Sequence, residues 1–223
     1  MTIQNIISQL GEGMLKTCLL FFSTLVISLP LGLIISFGRM SKWTPFGGKF
    51  KPVNMLARIY ISIMRGTPLM LQIMVVYFGP YYLFGIKISS SYQIYAAIIA
   101  FAINYAAYFA EIYRGGIESI SQGQYEAAHI LGFTKAQTFF KIILPQVMKR
   151  ILPSVTNEVI TLVKDTSLAF VIAYAEMFTM AKRIAAKETS MIPFVAAGIF
   201  YYIFNLIVAL VMNCIEKKMS YYK

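Results

Sequence analysis

The side chains that could do chemistry in this 223-residue chain are few, and the informative ones fall inside apolar stretches. Glu158, Lys164, Asp165 and Glu176 lie in the run 152–178, Asn104, Tyr108 and Glu111 in or beside the run 92–113, and Arg65 in the run 53–84. An ionisable group surrounded by hydrocarbon costs several kcal/mol unless it is paired or wet, so by default it marks a pathway or a contact between helices. On a helical wheel Glu158 and Asp165 lie about 20° apart, and Glu176 returns to the Glu158 direction, which predicts one acidic stripe. Lys164 points roughly 100° away from Asp165, so the two do not simply cancel side by side. A zwitterion needs an anion for its ammonium and a cation or hydroxyl for its carboxylate. Lys164, Asp165 and Thr166 supply those groups if the helix unwinds locally. The alternative is that these charges bind neighbouring helices. Asn104, Tyr108 and Glu111 recur at i, i+4 and i+7, one polar face that lines a helix contact or a cavity. Arg65, beside Gly66 and Pro68, is expected to have a structural role, anchoring a broken helix through its freed carbonyls.

Other chemistry is poorly supplied. Cys18 and Cys214 sit near opposite ends, and His129 is the only histidine. That spacing makes neither a metal site nor a disulfide framework, and no nucleophile stands with a base. The chain is therefore read as no enzyme, with no catalytic residue and no metal.

The elements that must position these groups follow from composition. Hydrophobic residues make up 58% and charged residues 13%, against about 25% charged in a soluble domain. The apolar runs are continuous rather than alternating, which excludes a barrel. Several reach the roughly 20 residues that a helix needs to cross hydrocarbon. The expected fold is an all-α membrane protein, one domain with about five spans: 14–37, 53–84, 92–113, 152–178 and 191–215. The second is too long for one straight span, so its first half is expected in the cytoplasm or at the membrane interface, with a kink or break at 66–68. The first is too long for a signal peptide and lacks a basic leader, so it is read as a retained helix. Between spans lie breakers, including Gly47 and Gly48, and basic residues, including Lys49.

The net charge of +11 does not indicate nucleic acid, because the basic residues cluster between apolar runs. Five spans put the termini on opposite sides. With the C-terminus (Lys217, Lys218, Lys223) inside, thirteen Lys and Arg are cytoplasmic and five are outside, the bias expected of cytoplasmic loops. The segment 114–150 then faces the cytoplasm. It reads as two short helices. The first, about 124–131, stops at Gly132, a residue free to take the left-handed conformation. The second carries Phe133, Phe140 and Ile143 or Leu144 on one face and is expected to end before Pro145. Such a unit is either a docking element or an amphipathic linker on the membrane surface.

Its residues carry a resemblance. Glu126-Ala127-Ala128, three residues, Gly132, nine residues and then Ile142-x-Leu144-Pro145 resembles the EAA loop of permease subunits of bacterial ABC importers. Arg65-Gly66-Thr67-Pro68 with Gln72, Glu111-Ile112-Tyr113-Arg114-Gly115-Gly116-Ile117 leading to Gly123-Gln124, and Lys164-Asp165-Thr166-Ser167-Leu168 resemble the polar amino-acid branch of that family. Together these motifs cover most of the chain.

The resemblance implies a type I importer permease of the bacterial inner membrane with a cytoplasmic coupling loop. Tyr125, Glu126, Ala127, Ala128, Gly132 and Phe133 would meet a separate ATP-hydrolysing subunit, and Pro145 would be structural. Glu126 could instead only cap its own helix. Apart from the resemblance, the polar groups within the spans give the candidate substrate path, Glu158, Lys164, Asp165, Thr166 and Asn104, and an acidic stripe suits a basic amino acid. The chain has no G-x-x-x-x-G-K-[ST] phosphate loop, so ATP and Mg would be bound by the partner subunit, and no cofactor is expected in this chain. The other implied partners are a second permease subunit, identical or related, an extracytoplasmic amino-acid-binding protein, and membrane lipid. The rival readings are an ion-coupled secondary transporter or channel, and a membrane enzyme.

Overall fold

Leucine-, isoleucine- and phenylalanine-rich runs with few charges leave the backbone no partner but itself in lipid, so they form helices. In the computed structural model, which describes residues 3–45 and 50–219, helices account for nearly all of the chain and no strand occurs among the described residues. Gly47, Gly48, Lys49 and Lys223 lie outside the described residues. The order is α1 (Ile3–Met40), α2 (Pro52–Gly66), α3 (Leu69–Phe84), α4 (Tyr92–Glu118), α5 (Gln122–Ile130), α6 (Lys135–Gln137), a π-helical turn (Thr138–Ile143), α7 (Leu144–Asp165), a 3-10 segment (Thr166–Ile172), α8 (Met177–Glu188) and α9 (Ile192–Met219).

Among the described residues, α1, α4 and α9 are each long and apolar enough to cross a membrane, and α2 and α3 pass as a pair bent by 107°. That gives three single spans, or four with the bent pair, where the sequence suggests about five. α1 runs unbroken through Pro30 and begins eleven residues before the expected start of the first span. Its long contact with α4 is made by small residues: α4 buries Ala96, Ala97, Ala100, Ala106, Ala107 and Ala110, and α1 buries Thr24, Ser28 and Ser36. Small side chains let helix backbones approach closely where no hydrophobic effect drives them together. Phe21, Phe101, Phe109 and Phe204 fill the remaining core, with Phe21 edge-on to Phe204 at 5.2 Å. The opposite faces of α1 and α9 expose Leu15, Phe22, Val26, Ile34, Leu206 and Leu210, rows that suit lipid.

Two expectations are corrected here. Residues 152–178 do not form one helix. Thr166 Oγ1 donates to Val163 O and Ser167 Oγ to Lys164 O, both at 2.7 Å. Hydroxyls that take the last carbonyls compete with the helix ladder. The chain tightens into the 3-10 segment and ends it at Ala173, left-handed at φ 57°. Arg183 then donates to Ala173 O at 3.3 Å, and Lys182 lies 5.3 Å above the Phe170 ring, holding this segment against α8.

The second correction is Pro145, which does not end a helix. The preceding turn is π-helical, so Leu144 N–H bonds back to Phe139 O, five residues away. This shift in register lets the proline enter at the start of α7, and Gln146 Nε2 takes the Ile142 carbonyl at 2.8 Å. A π turn also rotates the faces: Ile143 and Thr138 are buried while Phe140 is 65% exposed.

α4 and α7 touch at Gly116. A Cβ there would fall 2.1 Å from Ile151 Cγ2 and 3.2 Å from Val147 Cγ1. The methyl of a β-branched residue in a helix has little rotamer freedom with which to move aside. Gly116→Ala should therefore destabilise the chain by about 1–3 kcal/mol through overpacking, although alanine is the better helix former. The thermal unfolding midpoint measures this, and Gly116→Ala should cost less in an Ile151→Ala chain than in the wild type, because the clashing methyl is gone.

Candidate functional site

Pro68 cannot continue a helix, and the break between α2 and α3 leaves carbonyls in need of donors. The Met64 carbonyl receives two: Gln72 Nε2 and Asn104 Nδ2, each at 3.0 Å. Asn104 Nδ2 also donates to Gln72 Oε1 at 2.9 Å, and Gln72 Nε2 to Thr67 Oγ1 at 2.8 Å. The expectation that Arg65 anchors this break is corrected. The neutral amides take the carbonyl, and the Arg65 guanidinium lies 5.2 Å above the Tyr108 ring. The polar face of α4 is divided among three partners: Asn104 serves the break, Tyr108 carries Arg65, and Glu111 accepts from Arg114 Nε at 3.1 Å.

The break opens a cleft of about 400 Å³, lined by Pro68, Asn104, Tyr105, Tyr108, Glu158 and Asp165 among others. Asp165 Oδ2 accepts from the buried Tyr105 hydroxyl at 2.7 Å, which fixes that carboxylate in the wall. Two carboxylates seven residues apart on α7 thus reach one space. Arg65 lies beside the cleft, held on the ring of Tyr108, one of its lining residues. The chemistry on offer is recognition of a small cationic or zwitterionic solute.

Other residues that the sequence groups with these do not join the cleft. Lys164 is exposed on another face of α7, and Thr166 is fully buried with its hydroxyl given to Val163 O. Glu176 does not continue the acidic stripe, because the 3-10 segment and the Ala173 turn reset the phase of the chain. It caps α8 instead, fully buried, accepting from the N–H groups of Phe178 and Thr179 at 2.6 and 2.7 Å.

At the other candidate site α5 stands outside the helical body. Gly132, left-handed at φ 78°, turns the chain back, with Phe133 N–H closing on Ala128 O at 3.1 Å. Thr134 and Gln137 form a reciprocal capping box that starts the next helix, satisfying two donors at once. Glu126 is the fifth residue of α5 and caps nothing: no side chain caps this helix. Among the described residues it has no hydrogen-bond or ion-pair partner. Ala127 is exposed, but Ala128 is 1% exposed and faces the chain itself. Its smallness serves the packing of α5 on the π turn, a correction to its reading as a contact for another subunit. Tyr125, Ile130 and Leu131 are 36%, 85% and 73% exposed. Ile130 and Leu131 did not stand out in the sequence, because an apolar pair is unremarkable in so apolar a chain. It becomes a signal only on a helix outside the body.

Residues 28–221 match the family described as binding-protein-dependent transport system inner membrane component. The chain is 36% identical over 210 residues to the arginine transport system permease protein ArtQ of Bacillus subtilis, covering 94% of this chain and 91% of that protein. It is 34% identical to the L-cystine transport system permease protein TcyB of the same organism, covering 96% and 87%. A solved amino acid ABC transporter with histidines superposes with a TM-score of 0.84 at 31% identity, over 98% of this chain and all of that one. The inward-facing MetNI methionine ABC transporter shares the fold, with a TM-score of 0.69 at 17% identity.

Proposed function

The chain belongs to the binding-protein-dependent transport system inner membrane component family, and on that premise we propose that it is the permease subunit of an ATP-driven importer of polar amino acids, cationic ones foremost. Relatives named for arginine and cystine transport support the amino-acid class, and the Glu158–Asp165 pair supports a cationic side chain. Family membership favours this reading over an ion-coupled transporter.

The observation that carries the coupling role is α5. It holds an unpartnered carboxylate at Glu126 next to exposed Tyr125, Ile130 and Leu131, an apolar and charged surface outside the membrane body that a protein partner would cover. We assign that partner as the ATP-hydrolysing subunit, which would hold ATP and Mg. Gly132 would direct the chain back from the contact, with Phe133 behind it. A second permease subunit has its own support. Ser154, Asn157, Thr161 and Lys164 are exposed along one face of α7, and polar groups facing hydrocarbon are costly, so this face would look onto a path shared with an identical or related subunit. An external binding protein would deliver the solute; the N-terminus would lie outside and α5 in the cytoplasm, which takes a crossing by α7 and the 3-10 segment besides those of α1, the bent α2–α3 pair, α4 and α9.

The test is the complex reconstituted with its ATPase subunit and binding protein. Glu126→Ala should weaken assembly roughly tenfold, the worth of a hydrogen bond to a charged group. Adding Gly132→Ala, which puts a Cβ into a left-handed conformation at about 1–2 kcal/mol, should abolish solute-stimulated ATP hydrolysis. Unchanged assembly and hydrolysis in the double variant would remove the docking assignment. Solute uptake without ATP would remove the importer reading.

A further inference from the structure

A cavity larger than the cleft lies apart from it. It is a groove of about 810 Å³ between the π turn, the start of α7 and the last turn of α9. Its lining mixes three chemistries. Lys141 and Lys149 bring positive charge, Gln124 and Gln146 bring amides, and Ile142 and Met148 bring apolar surface. None of its lining side chains is acidic.

The position of the groove restricts what can fill it. α9 is apolar up to Ile215 and then turns to Glu216, Lys217 and Lys218 before Met219, which closes one wall. A span that changes character in this way is leaving hydrocarbon, so the groove lies at the depth of lipid headgroups. The π turn contributes as well: by rotating the chain it presents Lys141 and Ile142 to the same space as Lys149. π-helical insertions are rare and recur at functional positions.

We infer that this groove is a binding site for an anionic phospholipid, its phosphate held by Lys141 and Lys149 and its upper acyl chain laid on Ile142 and Met148. Basic pockets between membrane helices select anionic headgroups by charge, and the apolar wall distinguishes an amphiphile from a free anion. Gln124 of α5 already accepts from Gln146 Nε2 of α7 at 3.3 Å, and the bound lipid would tie that join to α9 and so brace the short helix against the membrane body. The inference needs α9 to leave the membrane at its end and is independent of the solute carried.

Native mass spectrometry of the delipidated full chain tests it, with phosphatidylglycerol and phosphatidylcholine offered in equal amounts. The wild type should retain one phosphatidylglycerol more tightly than any phosphatidylcholine. Lys141→Gln with Lys149→Gln should weaken that lipid by roughly fivefold per lysine, with an unchanged unfolding midpoint. Lys187→Gln, just before α9 starts and so at its far end, should leave the lipid bound. Equal retention of the two lipids, or full phosphatidylglycerol binding in the double variant, overturns the inference. Loss of the lipid on addition of the ATPase subunit, with weaker subunit binding by the double variant, also overturns it and gives the groove to the protein partner.

Discussion

Glu176→Gln is expected to lower the unfolding midpoint of the purified chain by roughly 10 °C, the shift that about 3 kcal/mol produces in a chain of this size. Four donors converge on this fully buried carboxylate: the N–H groups of Phe178 and Thr179, the Thr179 hydroxyl at 2.7 Å and the Tyr201 hydroxyl at 2.9 Å. A carboxylate has enough lone pairs for all four, whereas glutamine offers one oxygen and turns its amide toward a hydroxyl and a backbone N–H, of which the N–H can only donate. The loss combines an N-cap and a charge at a helix N-terminus with buried hydrogen bonds to a charged group. Tyr201→Phe removes one donor only and should cost about 1 kcal/mol. The cluster joins three elements, because Tyr201 comes from α9 and the neighbouring Met177 N–H donates to Thr17 of α1 at 3.1 Å. A Glu176→Gln chain with the wild-type midpoint would mean that these four donors find other partners without cost.

That cluster also shows where the sequence stops being legible. A wheel drawn through 152–178 assumes one helix in one phase. It places Glu158 and Asp165 on a common side, and both reach the cleft, because α7 is regular between them. It misplaces Glu176, because two hydroxyls capture carbonyls at 163 and 164 and Ala173 then turns left-handed. Nothing in the order of residue types announces which of several serines and threonines will do this. Pro145 gives the same lesson in reverse. Its missing N–H predicts an end, but a wider turn upstream supplies a register in which that N–H is not needed. The break after Gly66, in contrast, is written locally in Gly66-Thr67-Pro68. What supports it is not: Gln72 is near in sequence, but Asn104 comes from another helix. The all-helical membrane class is legible from composition alone. The helix count is less so, because α7, α8 and the 3-10 segment carry polar faces whose partners are set by tertiary structure. The spacing from Glu126 to Pro145 is legible because it is local, while the inward face of Ala128 and the exposed Ile130 and Leu131 depend on how α5 folds back.

The second large effect is expected at the cleft. Asp165→Asn together with Glu158→Gln should reduce import of a cationic amino acid by roughly 30-fold or more, since truncating a desolvated charge contact costs about 2–5 kcal/mol. Both substitutions keep side-chain shape. The amide oxygen introduced by Asp165→Asn would still accept from the Tyr105 hydroxyl, which holds the native carboxylate at 2.7 Å, so the wall of the cleft is preserved. Uptake of labelled arginine and of a neutral polar amino acid into vesicles containing the full complex separates two roles. If the carboxylates meet the solute, arginine uptake falls and the neutral solute is spared, with ATP hydrolysis and assembly intact. If they only hold α7 in place, both solutes fall together and the unfolding midpoint falls with them. Tyr105→Phe sharpens the distinction: it removes the hydroxyl that holds Asp165, so uptake should fall several-fold, through KM rather than maximal rate, because the carboxylate stays but is no longer aimed. Lys164→Gln serves as the comparison on the exposed face of the same helix. It should leave the ratio of arginine to neutral uptake unchanged, and a fall in that ratio there would move the solute site out of the cleft and onto the exposed face of α7.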